Sequence, residues 1–245
     1  MKPVNVSRKI STRFAAAAWV VPAVLSAALL GGCGALPFPS KFTATIYDFG
    51  PGALAADSAA GSVTTAPTVL PPLMVPEIGA RGHLDSTQQL YRLGYDDANA
   101  LRMYTHSRWS EPPAQLLHKR LVQQLMLHRM VFEGSKIAAL EQCSSGSSAE
   151  AGARTGAGQT PELHLSLEEF SQYFPQEASD TSFALVRVHA TLVQPQAGGG
   201  CAIINQRMFT VQRPAPTPNA AGGVKALEEA SDALIMELTR WVNQS

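Results

Sequence analysis

The most regular pattern of apolar and polar residues lies between positions 183 and 194. Every second residue there is apolar, namely Ala184, Val186, Val188, Ala190 and Leu192. Because successive side chains of a strand point to opposite faces, this alternation predicts a strand with one buried face. A glycine-rich turn separates it from residues 201–211, which are predicted to pair with it as an antiparallel hairpin. Shorter strands are predicted at 42–49, 72–79, 88–93, 100–106 and 163–167.

Two other segments have the three-to-four-residue spacing of an amphipathic helix. The first begins after Pro112-Pro113, since proline is tolerated at a helix start, and its main apolar face is formed by Ala114, Leu117, Leu121, Leu125 and His128. The second follows Gly222-Gly223 and carries an apolar stripe of Leu227, Ala230, Leu234, Leu238 and Trp241. Its polar residues are expected to face away from the sheet, and they are Glu228, Glu229, Asp232 and Arg240.

The order of these elements is several strands, a helix, several strands and a final helix. Such an order is typical of an α+β layer. We therefore expect a single α+β domain in which two amphipathic helices pack on a mostly antiparallel sheet.

The first predicted helix has a second apolar line, formed by Leu116, Leu127 and Met130. A helix packed on a sheet needs to bury only one stripe, so this line is a candidate partner-binding surface. The alternative is that a neighbouring loop or the last helix covers it. Trp109, which precedes this helix, also has two interpretations: a core residue that fills the corner between strand and helix, or an aromatic anchor for a partner.

The N-terminus has the order of a bacterial secretory signal. Four basic residues within positions 2–13 precede an almost wholly apolar run at 14–30. The next residues, Leu30-Gly31-Gly32-Cys33, resemble the lipobox of bacterial lipoproteins, in which the cysteine is acylated with palmitate-type chains and opens the mature protein. An uncleaved membrane anchor or an ordinary signal peptide is the alternative, although Pro22 and the shortness of the apolar run disfavour a permanent span.

These features divide the chain into a signal peptide at 1–32, a lipidated tether at 33–41 and a domain at 42–245. Within the domain, residues 50–70 and 144–160 are rich in small and polar residues. Such composition is typical of loops, so both segments are predicted to be low-complexity insertions.

The charge of the chain limits its partners. The 19 basic and 19 acidic residues balance, but removal of residues 1–32 takes away four basic residues and no acidic one, which leaves 15 against 19 and a net charge of −4. An acidic body does not favour nucleic-acid binding by neutralisation of phosphates. It also does not favour electrostatic docking to anionic lipid, so acyl chains would supply the membrane attachment.

The chain contains three cysteines. If Cys33 carries lipid, Cys143 and Cys201 remain as a pair in an oxidising compartment, where they are predicted to form a disulfide. Two free thiols are the alternative. Neither residue belongs to a Cys-x-x-Cys motif or has a histidine at metal-ligand spacing, so no metal site is expected.

The sequence contains no motif for catalysis or cofactor binding. It lacks a Gly-x-Ser-x-Gly elbow, a phosphate-binding loop and a His-Glu-x-x-His pair. His118 and His128 share the first predicted helix without the spacing of four that would let them hold a metal, and His128 is expected to be a core histidine. We therefore expect neither an enzyme nor a cofactor, and a lipid-anchored hydrolase is the disfavoured alternative.

Several segments resemble a known family in the same order. The stretch from Arg108 to Leu117 reads Arg-Trp-Ser-Glu-Pro-Pro-Ala-Gln-Leu-Leu and is similar to a segment of the ABC-type transport auxiliary lipoprotein components, to which the paraquat-inducible protein C-like lipoproteins belong. Further matching segments are Tyr47-Asp48-Phe49-Gly50-Pro51, Leu167-Glu168-Glu169-Phe170 and Gly223-Val224-Lys225-Ala226-Leu227. The insertions at 50–70 and 144–160 depart from the family pattern.

The resemblance implies a non-catalytic accessory role. Such lipoproteins work with an ABC permease, an ATPase and a substrate-binding subunit of the mammalian-cell-entry type, in systems that move phospholipids or other hydrophobic molecules between the inner and outer membranes. Gly34 rather than Asp follows the lipobox cysteine, which by resemblance to lipoprotein sorting implies the outer membrane, facing the periplasm. The alternative function is an outer-membrane assembly or secretion pilot lipoprotein, and self-association into a homo-oligomer stays open.

Overall fold

The structure is a computed structural model that describes residues 43–50, 70–134, 160–177, 181–196 and 200–245. These residues belong to one compact unit that runs from Thr43 to Ser245. The predicted signal peptide, the tether with Cys33, the residue Cys143 and nearly all of the two predicted insertions lie outside the described residues.

The described ranges contain eight strands and three α-helices. The strands are β1 (Thr45–Tyr47), β2 (Leu70–Pro76), β3 (Gln88–Leu93), β4 (Ala98–Trp109), β5 (Arg129–Gly134), β6 (Glu162–Phe174), β7 (Phe183–Pro195) and β8 (Cys201–Pro214). The helices are α1 (Gly94–Asp97), α2 (Pro113–Met126) and α3 (Ala220–Gln244), and a 3-10 turn covers Gly82–Asp85. None of these helices is long and apolar enough to cross a membrane.

The predicted hairpin is confirmed. β7 pairs antiparallel with β8 on one side and with β6 on the other, and Val188 stands opposite both Phe209 and Leu167. The alternating residues of β7 from Ala184 to Ala190 are completely buried. This buried face is covered by α3, which contacts β6, β7 and β8, so the pattern in the sequence identified the face that is in contact with the helix.

The sheet is mixed, which corrects the expectation of a mostly antiparallel one. The pairs β3–β4, β6–β7 and β7–β8 are antiparallel, whereas β1–β4, β3–β6, β2–β6 and β2–β5 are parallel. The order is β1–β4–β3–β6–β2–β5, and β7 lies on the other side of β6. A long connection such as 77–87 can return the chain to the same end of the sheet, as parallel strands require. Alternation of apolar residues contains no information about strand direction.

Helix α2 ends at Met126, whereas the sequence predicted that it continues through His128 and Met130. Leu127 is its C-cap, and Met130 lies in β5, so Leu116, Leu127 and Met130 do not form one helical line. His128 is exposed and is not the expected core histidine. The chain becomes extended here because Val131 of β5 packs beside Leu73 of β2 against the core.

Helix α3 is confirmed with its predicted stripe, since Leu227, Ala230, Leu234, Leu238 and Trp241 are all buried. Asn219 caps the helix and accepts a hydrogen bond from the N–H of Gly222 at 2.9 Å. Gly223 lies so close to the sheet that a Cβ atom there would overlap the side-chain amide of Gln172. A side chain at position 223 would therefore have to displace the hydrogen-bonded amide of Gln172 where α3 approaches β6.

Candidate functional site

Two segments that carry the family resemblance meet at one edge of the sheet. β1 pairs with the end of β4, so that Tyr47 stands beside Trp109, and the N–H of Ser110 donates to the carbonyl of Tyr47 at 2.7 Å. The N-terminal segment 43–50 is thereby fixed to the corner where β4 leads into α2. We call this region the N-terminal junction.

An aromatic cluster forms the interior of the N-terminal junction. The ring of Phe49 contacts Trp109 edge to face, with centroids 5.7 Å apart, and Phe170 of β6 contacts both rings. Trp109 is only 1% exposed, which corrects its assignment as an exposed partner-binding anchor and agrees with the alternative of a core residue. The indole is buried against the rings of Phe49 and Phe170, in the same core cluster as the apolar residues of α2.

Arg120 of α2 closes the N-terminal junction from the helix side. It is 6% exposed, and its Nη2 donates to the carbonyl oxygen of Phe49 at 2.5 Å. The guanidinium carbon also lies 5.9 Å from the centroid of the Phe49 ring. Both contacts hold the segment after β1 against α2, so a single cation connects the N-terminal segment to the helical layer.

Two carboxylates of α3 surround the same guanidinium. Arg120 Nε lies 3.2 Å from Asp232 Oδ1, and Nη2 lies 3.6 Å from Glu228 Oε1. The first distance is short, but its geometry does not make a hydrogen bond, so the attraction is mainly electrostatic. Glu228 and Asp232 are four residues apart and share one face of α3, which is turned toward α2 rather than toward solvent as expected.

The environment makes both carboxylates harder to ionise. Burial, and after it the neighbouring Asp232, raises the pKa of Glu228, while Arg120 opposes the shift. Burial also raises the pKa of Asp232 against the same opposing effect of Arg120. The positive charge of Arg120 therefore offsets the free-energy cost of holding two ionised, partly buried carboxylates close together at neutral pH.

The outer side of the N-terminal junction is an open cavity of about 250 Å³. Its walls include Asp48, Phe49, Glu111, Lys119 and Arg120. The Lys119 ammonium bonds both oxygens of Glu111 at 2.6 and 2.7 Å across the rim. Within the described ranges, no group of three His, Cys, Asp or Glu side chains could hold a metal ion.

A second polar cluster is buried under the start of α3. Gln172 accepts a hydrogen bond from the Tyr104 hydroxyl at 2.8 Å and donates to Ser182 at 2.7 Å. Gln89 accepts from Ser107 and donates to the carbonyl of Ala220 at 2.7 Å. Burial, with a smaller effect of Tyr91, raises the pKa of the Tyr104 phenol. These groups satisfy one another, and the arrangement is that of a structural network rather than a nucleophile and base.

The predicted partner-binding residues separate in the structure. Leu116 is buried in the core, whereas Leu127 and Met130 are 53% and 62% exposed. Met126 and Phe132, which the sequence analysis did not select, are also exposed, at 61% and 38%. We call Met126, Leu127, Met130 and Phe132 the corner patch, because they surround the turn from α2 into β5. Its signal in the sequence is the dense apolar run at 126–132.

Cys201 is the first residue of β8 and is not a free thiol. Cys143 lies outside the described residues. The pairing of Cys201 with Cys143 therefore stays a prediction.

Comparison with known proteins gives a family and a fold. Residues 53–238 match the family described as ABC-type transport auxiliary lipoprotein component. A crystal structure of a Xanthomonas campestris protein of the DUF330 family is 19% identical, with a TM-score of 0.55 over 72% of this chain and 86% of the other. A crystal structure of an uncharacterised protein is 13% identical, with a TM-score of 0.52 over 82% and 99%. At these identities the two structures support the fold alone.

No curated protein matches the chain. The family match covers three quarters of the sequence, including the Arg108–Leu117 segment, α2 and almost all of α3. It names an auxiliary transport component and not a family of enzymes. The chain belongs to the family of ABC-type transport auxiliary lipoprotein components.

Proposed function

We propose that this protein is a lipid-anchored accessory subunit of an ABC-type transport system with a mammalian-cell-entry-type substrate-binding subunit. The mature chain begins at acylated Cys33, is anchored in the outer membrane and faces the periplasm. It contacts the substrate-binding subunit, which works with a permease and an ATPase to move lipid between the membranes. It has no chemistry of its own.

The observation that supports this proposal best is the family match over residues 53–238. The corner patch is consistent with a protein-binding role, because exposed methionine, leucine and phenylalanine side chains form an adaptable apolar surface. Its four residues are contributed by the end of α2 and by β5. The patch therefore supplies the contact surface in this proposal.

Co-purification with the mammalian-cell-entry subunit tests the proposal. We expect the wild-type protein to be retained by that subunit. The double variant Leu127→Glu, Met130→Glu should remain folded but should no longer be retained. Met236→Glu is a matched control, since Met236 is 58% exposed on α3 and lies outside the corner patch. Failure of the wild type to co-purify would refute the proposed partner. Retention of a β-barrel protein instead would indicate the assembly or secretion pilot function.

The anchoring part of the proposal has its own test. Cys33→Ser should abolish incorporation of a fatty-acid analogue and release the protein from the outer-membrane fraction, because the acyl chains are its only proposed attachment. Labelling and membrane fractionation of wild type and variant would measure both effects. Equal labelling of the two proteins would show that Cys33 is not the acylated residue.

A further inference from the structure

β8 is an edge strand of the described sheet. All of its 14 residues except Ile204, which lies at a bulge, pair with β7, and among the residues that the structure describes no strand pairs with the opposite side. Three large apolar side chains on it are exposed, namely Ile203 at 66%, Ile204 at 42% and Met208 at 49%. Because an edge strand presents unpaired N–H and C=O groups, an edge of this length can accept an added strand.

The same hairpin is basic, although the mature chain is acidic as a whole. No Asp or Glu occurs between positions 181 and 227, whereas Arg187, Arg207 and Arg213 lie in β7 and β8. None of these three arginines forms an ion pair within the described ranges. Arg207 lies over the ring of Phe209, and Arg187 contacts the hydroxyl of Thr210. Among the residues that the structure describes, no carboxylate neutralises their charges.

The arginines lie on both faces of the hairpin. Arg207 stands opposite Ala190 and Arg213 opposite Ala184. Both arginines are therefore on the same face of the sheet as the β7 residues that α3 covers. Arg187 stands opposite Thr210 and is on the other face. A strand added beside β8 would place the side chains of one of its faces next to Arg207 and Arg213, whereas Arg187 lies one strand further in, on β7.

We propose that the outer edge of β8 is a docking site for an extended, acidic segment of a partner protein, which adds a strand to the sheet. The backbone groups of β8 would supply the main-chain hydrogen bonds, and Arg207 and Arg213 would select carboxylates. The identification of this partner with the transport system rests on the proposed function; the docking site itself does not.

The charges disfavour two other occupants. A second copy of this chain, paired through its own β8, would bring arginines toward arginines, and like charges across a strand pair are destabilising. A membrane surface would meet only one face of the hairpin, and lipid headgroups do not supply a regular ladder of backbone partners. An acidic strand satisfies both the backbone groups and the charges.

The test uses the acylated full-length protein in detergent micelles and three probes: an eight-residue peptide that alternates Glu and Val, the same peptide with Lys in place of Glu, and phosphatidylglycerol vesicles. We expect the Glu peptide to bind and the Lys peptide to bind at least tenfold more weakly. Hydrogen exchange should slow at the amides of β8 and not at those of β5, another described edge strand with exposed apolar residues.

Arg207→Glu is expected to weaken Glu-peptide binding roughly tenfold, the scale of about 1.4 kcal/mol. Lys225→Glu is the matched control, because it also replaces a positive by a negative charge within residues 181–227 but lies on α3. This variant should bind the Glu peptide like the wild type. Equal binding of both peptides, absence of protection in β8, or binding to vesicles without binding to the Glu peptide would overturn the inference. Dimerisation through β8 would also overturn it. If the Glu peptide binds as expected but the mammalian-cell-entry subunit does not co-purify, only the proposed function fails.

Discussion

Replacement of Arg120 by Met tests the interpretation of the N-terminal junction. The substitution keeps a long apolar stem but removes the charge beside Glu228 and Asp232 and the donor to the carbonyl of Phe49. A hydrogen bond with a charged donor contributes about 1.5–3 kcal/mol, and the contact with the Phe49 ring about 0.5–1 kcal/mol. Loss of one partner of a buried ion pair costs about 3–5 kcal/mol.

These effects overlap and do not add, because one guanidinium makes all of the contacts. The side chains of Glu228 and Asp232 also retain 31% and 27% of their exposure, so water screens part of the charge. We therefore expect Arg120→Met to lower the free energy of unfolding by about 3 kcal/mol at pH 8, near the lower end of the range for a broken buried pair.

The loss should depend on pH in a defined direction. Burial raises the folded-state pKa of both carboxylates, so their stability contribution is greatest at low pH and decreases as pH rises from the ordinary carboxylate pKa through the folded-state pKa. Without Arg120 the opposing effect is gone, and the folded-state pKa values of both Glu228 and Asp232 rise further. The variant should therefore lose less stability at pH 5, where the carboxylates can be protonated, than at pH 8.

Urea unfolding of wild type and variant at the two pH values measures this difference. Lys119→Met is a matched control one residue away, because the Lys119–Glu111 pair is exposed and is expected to contribute at most about 1 kcal/mol. Addition of Glu228→Gln and Asp232→Asn to Arg120→Met should recover part of the stability at pH 8. A loss below about 1 kcal/mol, or an equal loss at both pH values, would refute the electrostatic reasoning.

Three further predictions concern the corner patch, the helix–sheet contact and the disulfide. Leu127→Glu should change stability by no more than about 0.5 kcal/mol, whereas Leu117→Glu in the core should prevent accumulation of folded protein; thermal unfolding distinguishes them. Gly223→Ala should cost about 1–3 kcal/mol in urea unfolding, because the added methyl group overlaps a hydrogen-bonded amide. Cys143→Ser should leave Cys201 open to alkylation, as detected by mass spectrometry without reductant. Equal alkylation of Cys201 in the wild type would show that the predicted disulfide is not formed.

Periodicity in the sequence determined the elements that have one apolar face. The stripe of α3 and the alternation of β7 are local properties, since a buried face repeats every 3.6 residues in a helix and every two in a strand. The family segment Arg108–Leu117 was likewise visible before the structure, because its residues are consecutive. These local features sufficed for an α+β fold and for the family.

The tertiary structure decided what depends on residues far apart in the chain. Met130 was assigned to a helix because apolar spacing continued past Met126, but the pairing of β5 with β2 required extended backbone there. Strand direction depended on the connections between strands and not on their pattern. Glu228 and Asp232 looked like solvent-facing residues of α3, and only the packing of α2 beside that helix placed Arg120 between them. Charge partners across two elements are set by three-dimensional packing, which local periodicity does not contain.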